Sequence, residues 1–210
     1  MNRQKYHLFS EILEYPGPKL VERVRECLSL LVETNREAST KLQQFISLVE
    51  KLPAGRLEEV YTGTFDLQVV CYPYVGYQLF GESYRRGAFM VALKERYRAC
   101  GIPEGSELPD HLALVLRFLG VLDDEAEREE FAHECLIPAL EKMAQGFRDK
   151  DNPYRELLGA LLLLMQEAYP GRPETRVTRP EDFLGNRHGG AEGNESCAQC
   201  LGPATASEER

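Results

Sequence analysis

Residues Tyr61–Leu119 read YTGTFDLQVVCYPYVGYQLFGESYRRGAFMVALKERYRACGIPEGSELPDHLALVLRFL. Apolar side chains recur at helical spacing in three runs of this stretch, and two polar breaks separate the runs. In the first break, Tyr77 to Gly87, aromatic residues give way within a few positions to Gly81, Glu82, Arg85 and Arg86. In the second, Glu107 to His111, a proline, two acids and a histidine stand just ahead of a helix. Neither break carries a recognisable catalytic set. Both have the composition of the rim of a binding surface.

The same period continues outward on both sides. Tyr6, Phe9, Ile12 and Leu13 predict a helix over 3–14, which Tyr15, Pro16, Gly17 and Pro18 stop. Leu20, Val24, Cys27, Leu28 and Leu31 predict a second from about Lys19 to Val32. Leu42, Phe45, Ile46 and Val49 predict a third over 38–52, closed by Pro53 and Gly55. Leu57, Val60, Tyr61, Thr64 and Phe65 begin the next, expected to end near Val70 because Pro73 disfavours helix just ahead of it. Phe89, Met90, Leu93 and Tyr97 predict a helix from about Ser83 to Cys100, with Gly101 as its left-handed cap.

Pro109 and Asp110 suit the first turn of the following helix, where a missing N–H costs nothing and an acid meets the positive end of the dipole. That helix is apolar almost all round, which marks it as the buried centre. Asp123 or Asp124 should cap a helix reaching about Phe147 that Pro138 kinks or breaks. Asn152 and Pro153 open the last, which carries Leu157, Leu158, Leu161, Leu162 and Met165. No β-type alternation of useful length occurs. The expected fold is all-α: a single-domain helical bundle over 1–170, then a polar and largely disordered C-terminal tail over 171–210. Glu181 to Leu184 is the one place in the tail where a short docked turn is expected.

At 210 residues the chain suits one domain plus a tail, and 43% apolar residues supply a real core. A net charge of -9 repels phosphate backbones and anionic lipid, so neither nucleic acid nor a membrane surface is an expected partner, whereas basic peptides are favoured. The N-terminus lacks the apolar run of roughly 7 to 15 residues that a signal peptide needs, and Leu157–Met165 falls far short of the ~18 that would span a bilayer. A cytoplasmic location without membrane insertion is expected. Cys27, Cys71, Cys100 and Cys135 lie far apart and read as buried small groups or free thiols.

Motifs with a mechanism are wanting. Gly81 and Gly87 bracket two arginines but follow no strand, so they make no nucleotide loop. His133-Glu134 starts like a zinc-protease helix, yet Ile137 stands where the second imidazole must be. Cys197 and Cys200 have the spacing of half a zinc site with at best His188 beside them, so no metal and no cofactor is expected. Arg85 and Arg86 read either as a solvated helix face or as ion-pairing, partner-contacting residues. His111 has no serine or cysteine nucleophile in a recognisable motif to act on.

At the two breaks the sequence resembles the cytoplasmic redox-enzyme maturation chaperones of molybdenum enzymes, most closely their nitrate reductase delta-subunit branch. Tyr61, Phe65 and Asp66 in YTGTFD, then YQLFGESYRRGAFM, then ELPDHLALVLRFL from Glu107 to Leu119 carry the likeness, over about residues 57–120. The resemblance implies a chaperone, not an enzyme. It would bind the apo catalytic subunit of a nitrate-reductase-like molybdoenzyme, including its N-terminal peptide, and hold it for molybdenum cofactor insertion. Carried onto this chain, Glu82, Arg86, Glu107, Pro109, Asp110 and His111 become peptide-contacting or groove-shaping positions. The residue chemistry adds Tyr61, Phe65, Tyr77 and Phe80 as the groove's aromatic lining, with Glu107 and Asp110 meeting positive charges of the peptide. A permanent helical scaffold subunit of the reductase, and an enzyme of unknown motif, stay open as alternatives, as does a homodimer.

Overall fold

Helix α1, Asn2–Ile12, buries Tyr6, Phe9 and Ile12 completely, and the face they form packs against α7, Leu112–Val121. In the computed structural model, which describes residues 2–171 except 54, 68, 69, 104, 149 and 150, the same rule builds each neighbour. Helix α2, Leu20–Leu31, packs its Val24, Cys27 and Leu31 stripe between α1 and α3, Arg36–Val49. Asn35 starts α3 by accepting the Ala38 N–H at 2.7 Å, a cap worth about 1 kcal/mol. Helix α10, Pro153–Ala168, lies along α3 and is started by Asn152, whose Oδ1 accepts from the Tyr154 N–H. Tyr154 is fully buried against Phe45, Phe65 and Tyr61, with ring centroids 5.7, 5.1 and 5.6 Å away. Such pairs add about 0.5–1.5 kcal/mol beyond area burial, so this cluster ties α3 and α10 to α4, Arg56–Phe65.

The described residues hold helices and no strand, as the all-α expectation requires; their sheet-like pairing is one isolated bridge, Tyr74 with His111. None of the described helices is long and apolar enough to cross a membrane. Cys27, Cys71, Cys100 and Cys135 are free thiols. The tail beyond Gly171, with the expected Glu181–Leu184 turn and the Cys197, Cys200 and His188 group, lies outside the described residues.

Three local expectations need correction. Helix α4 ends at Phe65 instead of near Val70, because the Val70 and Cys71 amides both turn back to the Thr64 carbonyl, at 3.0 and 3.1 Å. A short helix, α5 (Val75–Phe80), sits where the first break was expected to begin. After it comes α6, Tyr84–Ala99. Pro109 and Asp110 precede α7 instead of forming its first turn, and His111 is its cap. The Pro138 break does occur, in a specific form. Helix α8, Glu125–Phe131, capped by Asp124, passes through a π-turn at Ala132–Leu136 into α9, Ile137–Gly146. Pro138 has no N–H for the Glu134 carbonyl, and the turn answers by bonding the Ile137 N–H five residues back to Ala132.

The two polar breaks meet. Arg86 on α6 forks onto Asp110, Nε to Oδ2 at 2.8 Å and Nη2 to Oδ1 at 3.4 Å. Asp110 is fully buried, and the Arg86 side chain is 16% exposed. The backbone doubles the link: the Val75 N–H donates to the Asp110 carbonyl at 2.7 Å and the Leu112 N–H to the Pro73 carbonyl at 2.8 Å. Tyr97 on α6 adds its hydroxyl to the Pro109 carbonyl at 2.7 Å. Gly76 is what lets α5 reach the pair. A Cβ there would lie 2.8 Å from Asp110 Oδ2 and 2.9 Å from Phe89 Cδ1, closer than real contacts allow.

A buried charge left alone is costly, whereas removing both is often neutral. Arg86→Ala and Asp110→Ala should therefore each lower the unfolding free energy by about 3–5 kcal/mol, while Arg86→Leu/Asp110→Leu costs far less than their sum. Urea unfolding of the three variants checks this, and additive losses would contradict it.

Candidate functional site

Beside the second break lies a cleft of about 460 Å³, between the C-terminal ends of α1 and α4, the Pro73–Tyr74 segment and the Gly105–His111 loop. Its walls are rings. Tyr61 and Phe65 come from one side of α4, 5.1 Å apart edge to face, and Tyr15 stands 5.4 Å from Tyr61, also edge on. Tyr74 closes the far side, held by its bridge to His111 and 5.4 Å from that imidazole. The Tyr61 hydroxyl is anchored on the Leu13 carbonyl at 3.3 Å, fixing the ring's orientation.

Charge in the cleft is unevenly compensated. Arg117 is the only charged residue of α7, and it reaches back to α1, donating to Ser10 Oγ at 3.0 Å and to Glu14. Asp66 and Glu107 also line the cleft, both exposed, and among the described residues no lysine or arginine is paired with either. Burial pushes the Tyr61 phenol up to about 12, and Asp66 and Glu107 push it the same way. Tyr74 is likewise raised by burial first, then by Glu107, Asp110 and Asp66.

His111 is 8% exposed and caps α7 with Nδ1, which accepts the Ala113 N–H at 3.3 Å. An acceptor at Nδ1 places the proton of the neutral ring on Nε2, which faces the cleft. Burial lowers its pKa below the ordinary 6.5, more than Glu107, Asp110 and Asp66 together raise it.

The expected site residues thus divide. Tyr61, Phe65, Glu107 and His111 line the cleft. Pro109 is buried beneath it and Asp110 is sealed against Arg86, so Asp110 faces a cation of its own chain instead of a partner's. Tyr77 and Phe80 are half-buried outside the cleft, Tyr77 against Tyr72 at 4.2 Å and Phe80 against Phe89 at 5.6 Å. Arg86 lies over the Tyr74 and Tyr77 rings, 5.3 and 5.5 Å from their centroids, and so joins this aromatic tier to the cleft wall. Glu82 is exposed at the α5–α6 turn, close enough to favour the Arg86 charge. Sequence reasoning missed Glu14, Tyr15, Tyr74 and Arg117. Arg117, a lone charge in an otherwise apolar helix, was the available signal. His133, of intermediate burial, lies in the π-turn. No cluster of potential metal ligands occurs among the described residues.

Because the folded chain disfavours the His111 imidazolium, the unfolded chain binds that proton more readily. The contribution of neutral His111 is complete above about pH 6.5 and is lost as pH falls through the lower folded pKa. The stability advantage of the parent over His111→Gln, from denaturant titrations, should shrink between about pH 8 and about pH 5. A constant difference would contradict the capping role.

The chain has known relatives. A Bacillus subtilis protein described as a probable nitrate reductase molybdenum cofactor assembly chaperone, NarJ, is 31% identical over 163 residues, covering 77% of this chain and 88% of that one. The Escherichia coli nitrate reductase molybdenum cofactor assembly chaperone NarJ is 27% identical over 165 residues, covering 77% and 69%. A solved Archaeoglobus fulgidus structure described as a redox enzyme maturation protein shares the fold, with a TM-score of 0.52 at 23% identity over 77% of this chain and 92% of that one. Residues 30–158, which contain both breaks, the aromatic cluster and most of the cleft, match the model of the nitrate reductase delta subunit family. The chain belongs to that family.

Proposed function

We propose that this chain is an assembly chaperone for a nitrate reductase: it binds the apo catalytic subunit, including its N-terminal peptide, and holds it while the molybdenum cofactor is inserted. The observation that carries the reading is the aromatic, carboxylate-edged cleft, which the second polar break lines and to which Arg86 of the first break is tied through its fork onto Asp110. An aromatic-walled hollow edged by carboxylates suits one segment of another polypeptide, with apolar anchors for affinity and charge for register. The groups gathered there hold, orient and desolvate. His111 spends one nitrogen on a helix cap, a positioning role that fits a binding protein.

The chaperone acts in the cytoplasm, where an unfinished cofactor enzyme is accessible. Tyr61, Phe65, Glu107 and His111 touch the peptide, while Arg86, Pro109 and Asp110 shape the groove from beneath. Tyr77, Phe80 and Glu82 continue it along α5.

A chaperone leaves its finished client and a permanent subunit does not. Affinity-tagged chain should recover the catalytic subunit from cells starved of molybdate, and recover much less from molybdate-replete cells in which the enzyme is active. Equal recovery with fully active reductase would favour a permanent scaffold and overturn the proposal.

A further inference from the structure

Away from the cleft, α6 runs against the charge of the whole chain. The net charge is -9, yet this helix holds five arginines and lysines against the single acid Glu95. Two of the five face inward, Arg86 onto Asp110 and Arg96 onto Glu127. Arg85, Lys94 and Arg98 are exposed, and so are Tyr84, at 93%, and Val91, at 58%. Because α6 buries Phe89, Leu93 and Tyr97, the helical period gathers Tyr84, Val91, Lys94 and Arg98 on its opposite side. Gly87 lies in that strip with neither a positive φ nor a neighbour within 4 Å of an added Cβ. A glycine inside a helix costs about 1 kcal/mol against alanine, and nothing in the fold itself requires this one.

The opposite charge stands next to it. Asp123 and Asp124 lead into α8, which carries Glu125, Glu127, Glu129 and Glu130. Glu127 turns toward α6 and meets Arg96 at 3.2 Å, which ties the two helices side by side. Burial first, then Glu127 and Asp123, raise the Cys100 thiol at the end of α6, so both acids stand near that end. Asp123, Glu125, Ala126 and Glu129 are exposed, with Val121 beside them at 47%. A basic, partly apolar strip therefore adjoins an acidic one.

We propose that these two strips are an interface with a second copy of this chain, related to the first by a twofold axis that runs between them. Such an axis sets α6 of one protomer on α8 of its partner and α8 on the partner's α6, so every contact is made twice. Lys94 and Arg98 meet the partner's acidic strip, Tyr84 and Val91 leave water, and Gly87 lets the facing helix approach closely. Any other protein would have to match both strips side by side; a second copy carries the match already. The uncrossed arrangement, α6 on α6, sets like charges together and is disfavoured. Two chains of charge -9 also repel at long range, but salt at about 0.1 M screens that repulsion beyond about 10 Å and leaves the local match to decide. The interface involves no client and stands apart from the chaperone reading.

Sedimentation equilibrium of the full chain in about 0.1 M salt tests the interface with two charge reversals. Lys94→Glu/Arg98→Glu makes both strips acidic, and Asp123→Lys/Glu129→Lys makes both basic. All four positions are exposed, so both variants should keep the parent's helical circular dichroism. The parent should dimerise in the micromolar range, and each reversal alone should weaken the dimer at least about tenfold. An equimolar mixture of the two variants should recover a mixed dimer, because acidic strips then face basic ones at both contacts. Tyr84→Ala/Val91→Ala, which removes exposed atoms and no charge, should also weaken the parent dimer. Glu33→Lys/Glu37→Lys, an equal charge change at exposed positions elsewhere, should leave it intact. A parent that stays monomeric at about 100 µM, a dimer that the reversals or the alanine pair leave unchanged, or folded variants that fail to associate when mixed would overturn the interface.

Discussion

The buried fork between Arg86 and Asp110 is the interaction on which the rest of this molecule turns. A carboxylate without solvent exposure demands a partner, and the only way to supply one here is to bring the start of α6 against the loop ahead of α7. That approach places Tyr74 beside His111, hands the Asp110 carbonyl to the Val75 amide, and requires a glycine at position 76. Two stretches of chain that look like unrelated interruptions in a helical pattern are thereby locked together, and the second of them lines the cleft. The pair's contribution to net stability is modest by comparison, since desolvation offsets most of the Coulomb gain. What it specifies is geometry.

From that geometry the cleft's character follows. Aromatic rings fall on the inside because α4 and the end of α1 turn Tyr61, Phe65 and Tyr15 toward the gap, while the polar residues of the loops remain at its mouth. Internal pairing consumes Asp110 and Glu14, and among the described residues no lysine or arginine is paired with Asp66 or Glu107, so the site is negative for a local reason as well as through the chain's net charge of -9. Burial lowers the His111 pKa, and its cap on α7 holds the neutral ring in one tautomer. This inventory is what the proposed role in holding a segment of another protein rests on. The nitrate reductase delta subunit family, to which the chain belongs, includes relatives described as assembly chaperones.

Most of the scaffold was legible in the sequence, because long amphipathic helices announce themselves by period and by their caps. Asn152, Asp124 and Pro138 each acted where local chemistry placed them. Helix α5 was not legible: its short run, with a glycine and aromatics in it, is too brief for a helical period to register. For the site, Tyr61 and Phe65, associated from residue type, and Glu107 and His111, implied by the family resemblance, lie on one cleft. The fate of Asp110 was not, since a helix-start acid and a buried ion-pair acid look identical until the partner, 24 residues away, is located in space. Glu14 and Tyr15 were missed for the same reason: they reach the cleft only through packing of α1 on α7.

The central claim is that the Arg86–Asp110 fork sets the shape of a peptide-holding cleft. It is tested most directly by calorimetric titration of the catalytic subunit's N-terminal peptide into the parent and into Arg86→Leu/Asp110→Leu, a replacement that strands no charge and so is expected to fold. The account predicts a cooperatively folded double variant that binds the peptide at least about tenfold more weakly, about 1.4 kcal/mol. A folded double variant with unchanged affinity would contradict it.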